Sequence, residues 1–331
     1  MTMAEEVSTQ PLNLPFLTNE ENTAGKTFIV TGASTGLGFE AAQHLVRLGA
    51  KEVILSVRTD AKGDEAKAKI EKAMGKKGVA KVWELDLCSY ASVKAFVKRA
   101  EQLERIDAVI ENAAISTADP TPMEGHRHTL TVNVLSTFLL GMLLLPKLKE
   151  SAEKYGTLPR LSFVTSGVGF DIRQVWDMIK EDPITGVDGL PLEKLMVTYP
   201  ISKLMITQAV RQLAAELFLE KGKVVINAVC PGLCKTDLVR NADPVLKKEI
   251  VDQQNLYGRT AEDGSRTLLA GALAGKESHG GFMSSCEVRN DKVRDWITDE
   301  EGQKWQKHLW DQIVKEIEIA APGSVQKALQ N

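Results

Sequence analysis

Tyr199 and Lys203 stand four residues apart in a segment whose apolar residues recur at helical period. Their side chains therefore fall one turn apart on one face. A phenol normally loses its proton near pH ~10, and an ammonium beside it favours the ionised form, which moves it toward the range of a general acid/base. Such a pair also arises by accident on ordinary helices, so its meaning depends on its company. Ser166, at the end of a β-branched run, offers a hydroxyl that could hold an oxygen, although a strand-end serine is also a common turn former.

A second cluster suits an anion. Residues 28–38 read Phe-Ile-Val-Thr-Gly-Ala-Ser-Thr-Gly-Leu-Gly, a strand, a glycine-rich turn and a helix start in direct succession. Gly32, Gly36 and Gly38 would let the backbone at Ser34, Thr35 and Leu37 approach a pyrophosphate, whose charge is favoured by the amides and dipole at the helix N-terminus. The four-and-two spacing differs from the commoner dinucleotide fingerprint, and a plain strand-to-helix turn would look similar. After the second strand comes Arg58, where an acid would be expected if a free ribose 2'-hydroxyl were gripped. An arginine suits a 2'-phosphate, so NADP(H) is expected over NAD(H), with a solvated surface charge as the plain alternative. Asp86-Leu87 closes a third strand where an adenine would lie; the aspartate could instead cap the next helix, a role Ser89 can also fill. Asn112-Ala113-Ala114 closes the fourth with side chains small enough for a cofactor to pass.

The elements that must position these residues alternate. Strand candidates at 27–31, 52–57, 81–85, 107–111, 161–165 and 223–229 are separated by helical patterns at 37–48, 64–74, 91–103, 128–149 and 202–219. That rhythm predicts an α/β fold: a Rossmann-like, doubly wound parallel sheet of about seven strands with helices on both faces. Residues 1–24 read as a flexible arm and 25–331 as a single domain, elaborated by an insertion at 169–198 and by the tail from about 237. The tail holds a helix candidate at 261–274, a short strand at 281–284 and an amphipathic segment at 299–317. Phe170, Trp176 and Met178 could line an apolar pocket or equally pack on the surface.

Composition excludes more than it assigns. Lys plus Arg number 41 against 44 Asp plus Glu, a net charge of -3, which leaves no basic excess for nucleic acid. Four cysteines in 331 residues suggest a reducing, cytoplasmic setting rather than a disulfide framework. The first two dozen residues lack the apolar core of a secretory signal. The apolar stretch at 134–145 is broken by Ser136, Thr137 and Gly141 and reads as a buried helix rather than a membrane span. Cys230 and Cys234 read as packing residues, His126 and His128 as helix-start or surface residues, and no metal is expected.

Taken in order, the glycine turn, Asp86, Asn112-Ala113-Ala114, Asn133, Ser166, Tyr199 with Lys203, and Pro231-Gly232 followed by Thr236 resemble the short-chain dehydrogenase/reductase family from about residue 26 to 236. The resemblance implies that Tyr199 gives a proton to a carbonyl oxygen held by Ser166 while hydride reaches the carbon. It also implies that Lys203 binds the nicotinamide ribose, Asn133 anchors a relay water, and Pro231, Gly232 and Thr236 border the nicotinamide. The expected substrate is a ketone or aldehyde on a medium-sized, partly apolar molecule. Alcohol oxidation, a cyclase or isomerase reaction and a dinucleotide sensor are the alternatives. The tail looks like that of fungal secondary-metabolism and retinol-dehydrogenase-like members, and the resemblance implies a mobile substrate loop at 237–254. Pairing through the helices that begin near Glu124 and Tyr199 is a possible homo-oligomer contact. Two departures stand out: Glu111 and Ala114 replace an asparagine and a glycine, and Pro200 follows Tyr199, so the helix must begin at or just before the tyrosine.

Overall fold

A computed structural model describes residues 3–330. Its main sheet comprises β1 (Thr27–Thr31), β2 (Glu52–Val57), β3 (Ala80–Glu84), β4 (Ala108–Glu111), β5 (Arg160–Val164), β6 (Val225–Cys230), β7 (Phe282–Ser284) and β8 (Glu287–Val288). They lie in the order β8-β7-β6-β5-β4-β1-β2-β3. The seven strands expected are parallel, and β8 adds a two-residue antiparallel edge. β1 and β6 are buried along their whole length, as a parallel sheet covered on both faces requires. Strand order reverses between β4 and β1, which opens a crevice at their carboxyl ends.

Helices α2 (Gly36–Arg47), α3 (Asp60–Met74) and α8 (Ala261–Leu273) cover one face, packing Leu45, Ile70 and Leu269 onto the sheet. The other face carries α4 (Tyr90–Ala100), α5 (Ser136–Tyr155) and α6 (Thr198–Glu216). An outer helix, α9 (Glu300–Ala320), lies on these, with Leu309, Trp310, Ile313 and Ile317 buried. Trp310 meets Phe138 of α5 edge-on at 5.8 Å and donates to Glu216 of α6 at 2.9 Å. α9 therefore covers part of the very helices that the family resemblance would offer for pairing.

Several regions differ from the sequence reading. The arm is packed: Leu14 is 3% exposed, and the main-chain N–H groups of Asn13 and Leu14 donate to Asp263 at 2.9 and 2.6 Å. Within the arm, α1 (Met3–Ser8) buries Val7. Segment 169–198 folds into short helices, Arg173–Ile179 and Pro183–Asp188, whose apolar side chains enter the main core. Phe170 packs its ring at a tilt against Phe282, Trp176 is 2% exposed and Met178 faces solvent, so none of the three lines the pocket expected of them. The presumed mobile loop is largely a helix, α7 (Pro244–Tyr257), begun by an Asp243 side chain that accepts from Val245 and Leu246, with Pro244 in its first turn. Helical structure runs without a break through 128–155, longer than the apolar stretch suggested. It is long and apolar enough to cross a membrane, but 89% of its apolar window is buried inside the protein.

Candidate active site

The crevice at the ends of β1 and β4 is built by main-chain stitching. Thr31 closes β1, and its hydroxyl accepts from the N–H groups of Asn112 and Ala113, both at 2.9 Å. Asn112 in return donates its carboxamide to the Thr31 carbonyl at 2.8 Å. The glycines then do what no other residue could. Gly32 and Gly36 have φ of +65° and +61°, and a Cβ on Gly38 would sit 2.6 Å from both Asn112 Nδ2 and the Gly32 carbonyl. The first turn of α2 can thus lie against the strand ends with its free N–H groups facing outward, a fit for a pyrophosphate.

Across the crevice, α6 begins at Thr198, so Pro200 occupies its first turn as the sequence requires. Lys203 is 3% exposed and donates to the Val164 carbonyl at 2.8 Å. Its own carbonyl accepts from Thr165 and Thr207, at 2.8 and 3.1 Å, which fixes this turn of the helix on β5. The ammonium lies 5.6 Å from the centre of the Tyr199 ring. Burial lowers the lysine to about 7 and pushes the tyrosine above its ordinary value, so in the protein alone burial outweighs any lowering of the phenol by its neighbour. Ser166, just past β5, starts a 3-10 turn and accepts weakly from Val168 N at 3.4 Å.

Asn133 lies in a π-helical turn, Thr131–Leu135, at the head of α5. Its carboxamide accepts from Ile115 N and donates to Ile115 O, both at 2.9 Å, and to Ser202 Oγ at 3.0 Å. Both donors are thereby spent on protein partners. Asn133 ties the loop after β4 to the first turn of α6, and its carboxamide does not border the cavity.

One cavity of roughly 670 Å³ joins these parts. Gly32, Ser34, Thr35, Gly36 and Leu37 form its floor, and Ser166, Tyr199, Lys203, Pro231, Gly232 and Thr236 surround one end. At the other end are Arg58, Asp86 and Leu87, while Asn112 and Ala113 line the middle beside the glycine turn; Gly38 packs beneath the turn rather than lining it. Ser89 caps α4, and the Asp86 carboxylate accepts from Cys88 N at 3.0 Å. Lys62, in the first turn of α3, joins Arg58 on the wall, whereas Asp60 does not border the cavity.

The sequence reading passed over Lys62, the stitching by Thr31, and an apolar end made by Val7, Val168, Met196, Val239, Leu246 and Ile250. Leu246 and Ile250 were legible in principle, because four-residue spacing after Asp243-Pro244 marks one face of a capped helix. Val7 and Met196 reach the cavity through tertiary packing alone. Elsewhere, Cys234 donates its thiol to Pro231 O at 3.4 Å, and His128 lies 3.3 Å from Cys88 Sγ. Among the described residues no group of three or more His, Cys, Asp or Glu could hold a metal ion.

Known proteins resemble this chain in sequence and in fold. The sequence model of the family described as short chain dehydrogenase matches residues 26–176. A short chain dehydrogenase/reductase of Cryptosporiopsis sp. (strain 8999) is 37% identical over 316 residues, covering 94% of this chain and 95% of the relative. A short-chain dehydrogenase of Penicillium roqueforti (strain FM164) is 34% identical over 305 residues, covering 90% and 79%. Among solved structures, a protein from Pseudomonas syringae described as a putative short chain dehydrogenase superposes with a TM-score of 0.62 at 24% identity, covering 82% of this chain and 98% of the other. A protein from Beutenbergia cavernae described as a putative NAD(P) dependent gluconate 5-dehydrogenase, with bound NADP at low occupancy, gives 0.58 at 23% identity, covering 79% and 95%. The structures carry the fold, and the sequence relatives span nearly the whole chain: this protein belongs to the short-chain dehydrogenase/reductase family of oxidoreductases.

Proposed function

We propose that the protein is an NADPH-dependent reductase of a ketone or aldehyde on a medium-sized, partly apolar molecule. The carrying observation is convergence: Tyr199, Lys203 and Ser166 meet an apolar wall at one end of the same cavity whose other end presents Arg58 and Lys62. When bound along the glycine turn, the dinucleotide would supply the hydride. The Tyr199 phenol gives its proton to the carbonyl oxygen, and the Ser166 hydroxyl holds that oxygen in reach. Lys203, set by Val164, holds the ribose and biases the phenol. Asn133 contributes by fixing the loop after β4 to the helix that carries Tyr199.

Burial keeps the phenol protonated in the protein alone, the form from which a proton can be given to a carbonyl oxygen. Two cations without a bordering Asp60 favour a 2'-phosphate, and NADP bound to a protein of the same fold is in keeping with that choice. Four free cysteines suit a cytoplasmic enzyme. The test is a pair of measurements. NADPH should bind to wild type and to Tyr199→Phe alike, while Tyr199→Phe lowers turnover of a carbonyl substrate by about 10²-fold or more. Unchanged turnover would remove Tyr199 from the chemistry.

A further inference from the structure

We infer that Gln10, in the N-terminal arm, is a positioning residue for the Pro231–Leu233 loop that borders the nicotinamide end of the cavity. This rests on the proposed function, which places the nicotinamide there. Pro231, Gly232 and Leu233 leave the end of β6 and border the same cavity as Lys203. This loop is gripped. The Gln10 carboxamide accepts from Leu233 N at 3.0 Å and donates to Leu233 O at 2.9 Å, pairing with both main-chain groups of one residue as a neighbouring strand would. It donates further to the Tyr257 carbonyl at 2.8 Å, which joins the end of α7 to the same point.

A buried arginine completes the grip. Arg259, 2% exposed, donates to Pro231 O at 2.6 Å and to Pro11 O at 2.9 Å, linking loop and arm through one guanidinium. Gly232 is in the left-handed region at φ +78°, and a Cβ there would run into Gln10 Oε1 and Arg259 Nη1. Glycine is thus needed because the clamp closes on it. Anchored at Asn13 and Leu14 by Asp263, the arm has a fixed point from which Gln10 can act. A Pro-Gly loop free on its outer side would sample many conformations, and the clamp selects one; such support matters where a misplacement of about 1 Å costs rate and affinity.

The experiment uses the full chain with Gln10→Met, which keeps the side chain's length and loses its amide, and Gln10→Ala. Amide hydrogen exchange at Leu233 in the dinucleotide-free protein should rise about tenfold or more, while amides of β1 keep wild-type protection. The Kd for NADPH should rise about fivefold to tenfold in both variants, with Tm held within about 2 °C of wild type. Unchanged Leu233 exchange with unchanged Kd overturns the inference, as does a loss of protection that extends to β1, which would make Gln10 merely structural. A wild-type protein that binds neither NADPH nor NADH overturns the underlying reading, a failure visible without any variant.

Discussion

The Lys203 ammonium is held 2.8 Å from the Val164 carbonyl and 5.6 Å from the Tyr199 ring centre, so the strand end sets where the lysine stands beside the phenol. Burial lowers this lysine to about 7. A cationic group with a depressed folded value costs stability fully below that value, and the cost fades as pH rises from about 7 toward the unfolded value near ~10.5. Lys203→Met should therefore raise Tm more at pH 6 than at pH 9.5, by about 2 °C or more at the lower pH, while turnover falls about 10²-fold. Thermal melts at the two pH values check the sign; an equal gain at both would mean that the lysine holds its proton as firmly in the folded as in the unfolded protein, and that burial does not lower it.

Arg58 and Lys62 form the cationic end of the cavity. Charge-assisted hydrogen bonds to a 2'-phosphate would be lost in Arg58→Ala, which should raise the NADPH Kd about tenfold and leave the NADH Kd within about twofold. Fluorescence titration with both cofactors measures this. Equal weakening of both would assign Arg58 to some other part of the ligand.

Glu111 takes the place of a family asparagine, at 3% exposure, and the Thr31 hydroxyl only partly offsets the burial of its carboxyl. Burial raises its carboxyl well above the usual range. The folded state then holds a proton that the unfolded state releases, so stability falls as pH rises from about 4.5 toward the folded value. Glu111→Gln should remove that slope and raise Tm by about 3 °C at pH 8, with little change at pH 4.5. A melt series across that range decides it, and a variant less stable at pH 8 would show that the acid has a use.

His126 joins the insertion to α9, with Nδ1 2.7 Å from Asp188 and Nε2 3.3 Å from Glu316. The hydrogen bond to Asp188, opposed by burial and aided by the charges of both acids, raises its pKa. The linkage is fully present below the unfolded value near ~6.5 and is lost as pH rises through the higher folded value. His126→Ala should therefore lower Tm by about 3 °C at pH 6 and by less at pH 9. A pH-independent loss would point to packing instead.

Much of this was written locally. Strands β1 and β2 fall where alternation with helical stretches puts them, and Pro200 marks the start of α6, because proline cannot stand deeper in a helix. The glycine turn, Ser166, Tyr199 and Lys203 were readable as residue types at fixed spacings. The 169–198 side chains misled, because an apolar residue can serve core or pocket equally well and only packing chooses between them. The helix over 244–257 was missed although Asp243-Pro244 announced it, since its mixed charged and apolar residues also suit a loop.

The sequence by itself determined the order of the elements and which chemical groups end the strands, because turn chemistry and periodicity act over a few residues. Tertiary structure decided the rest. It set the direction in which burial moves Lys203 and Tyr199, turned the Asn133 carboxamide onto Ile115, and brought Gln10 to Leu233, 223 residues downstream. A side chain's protonation and partners depend on what the folded chain packs around it, and no spacing along the sequence records that.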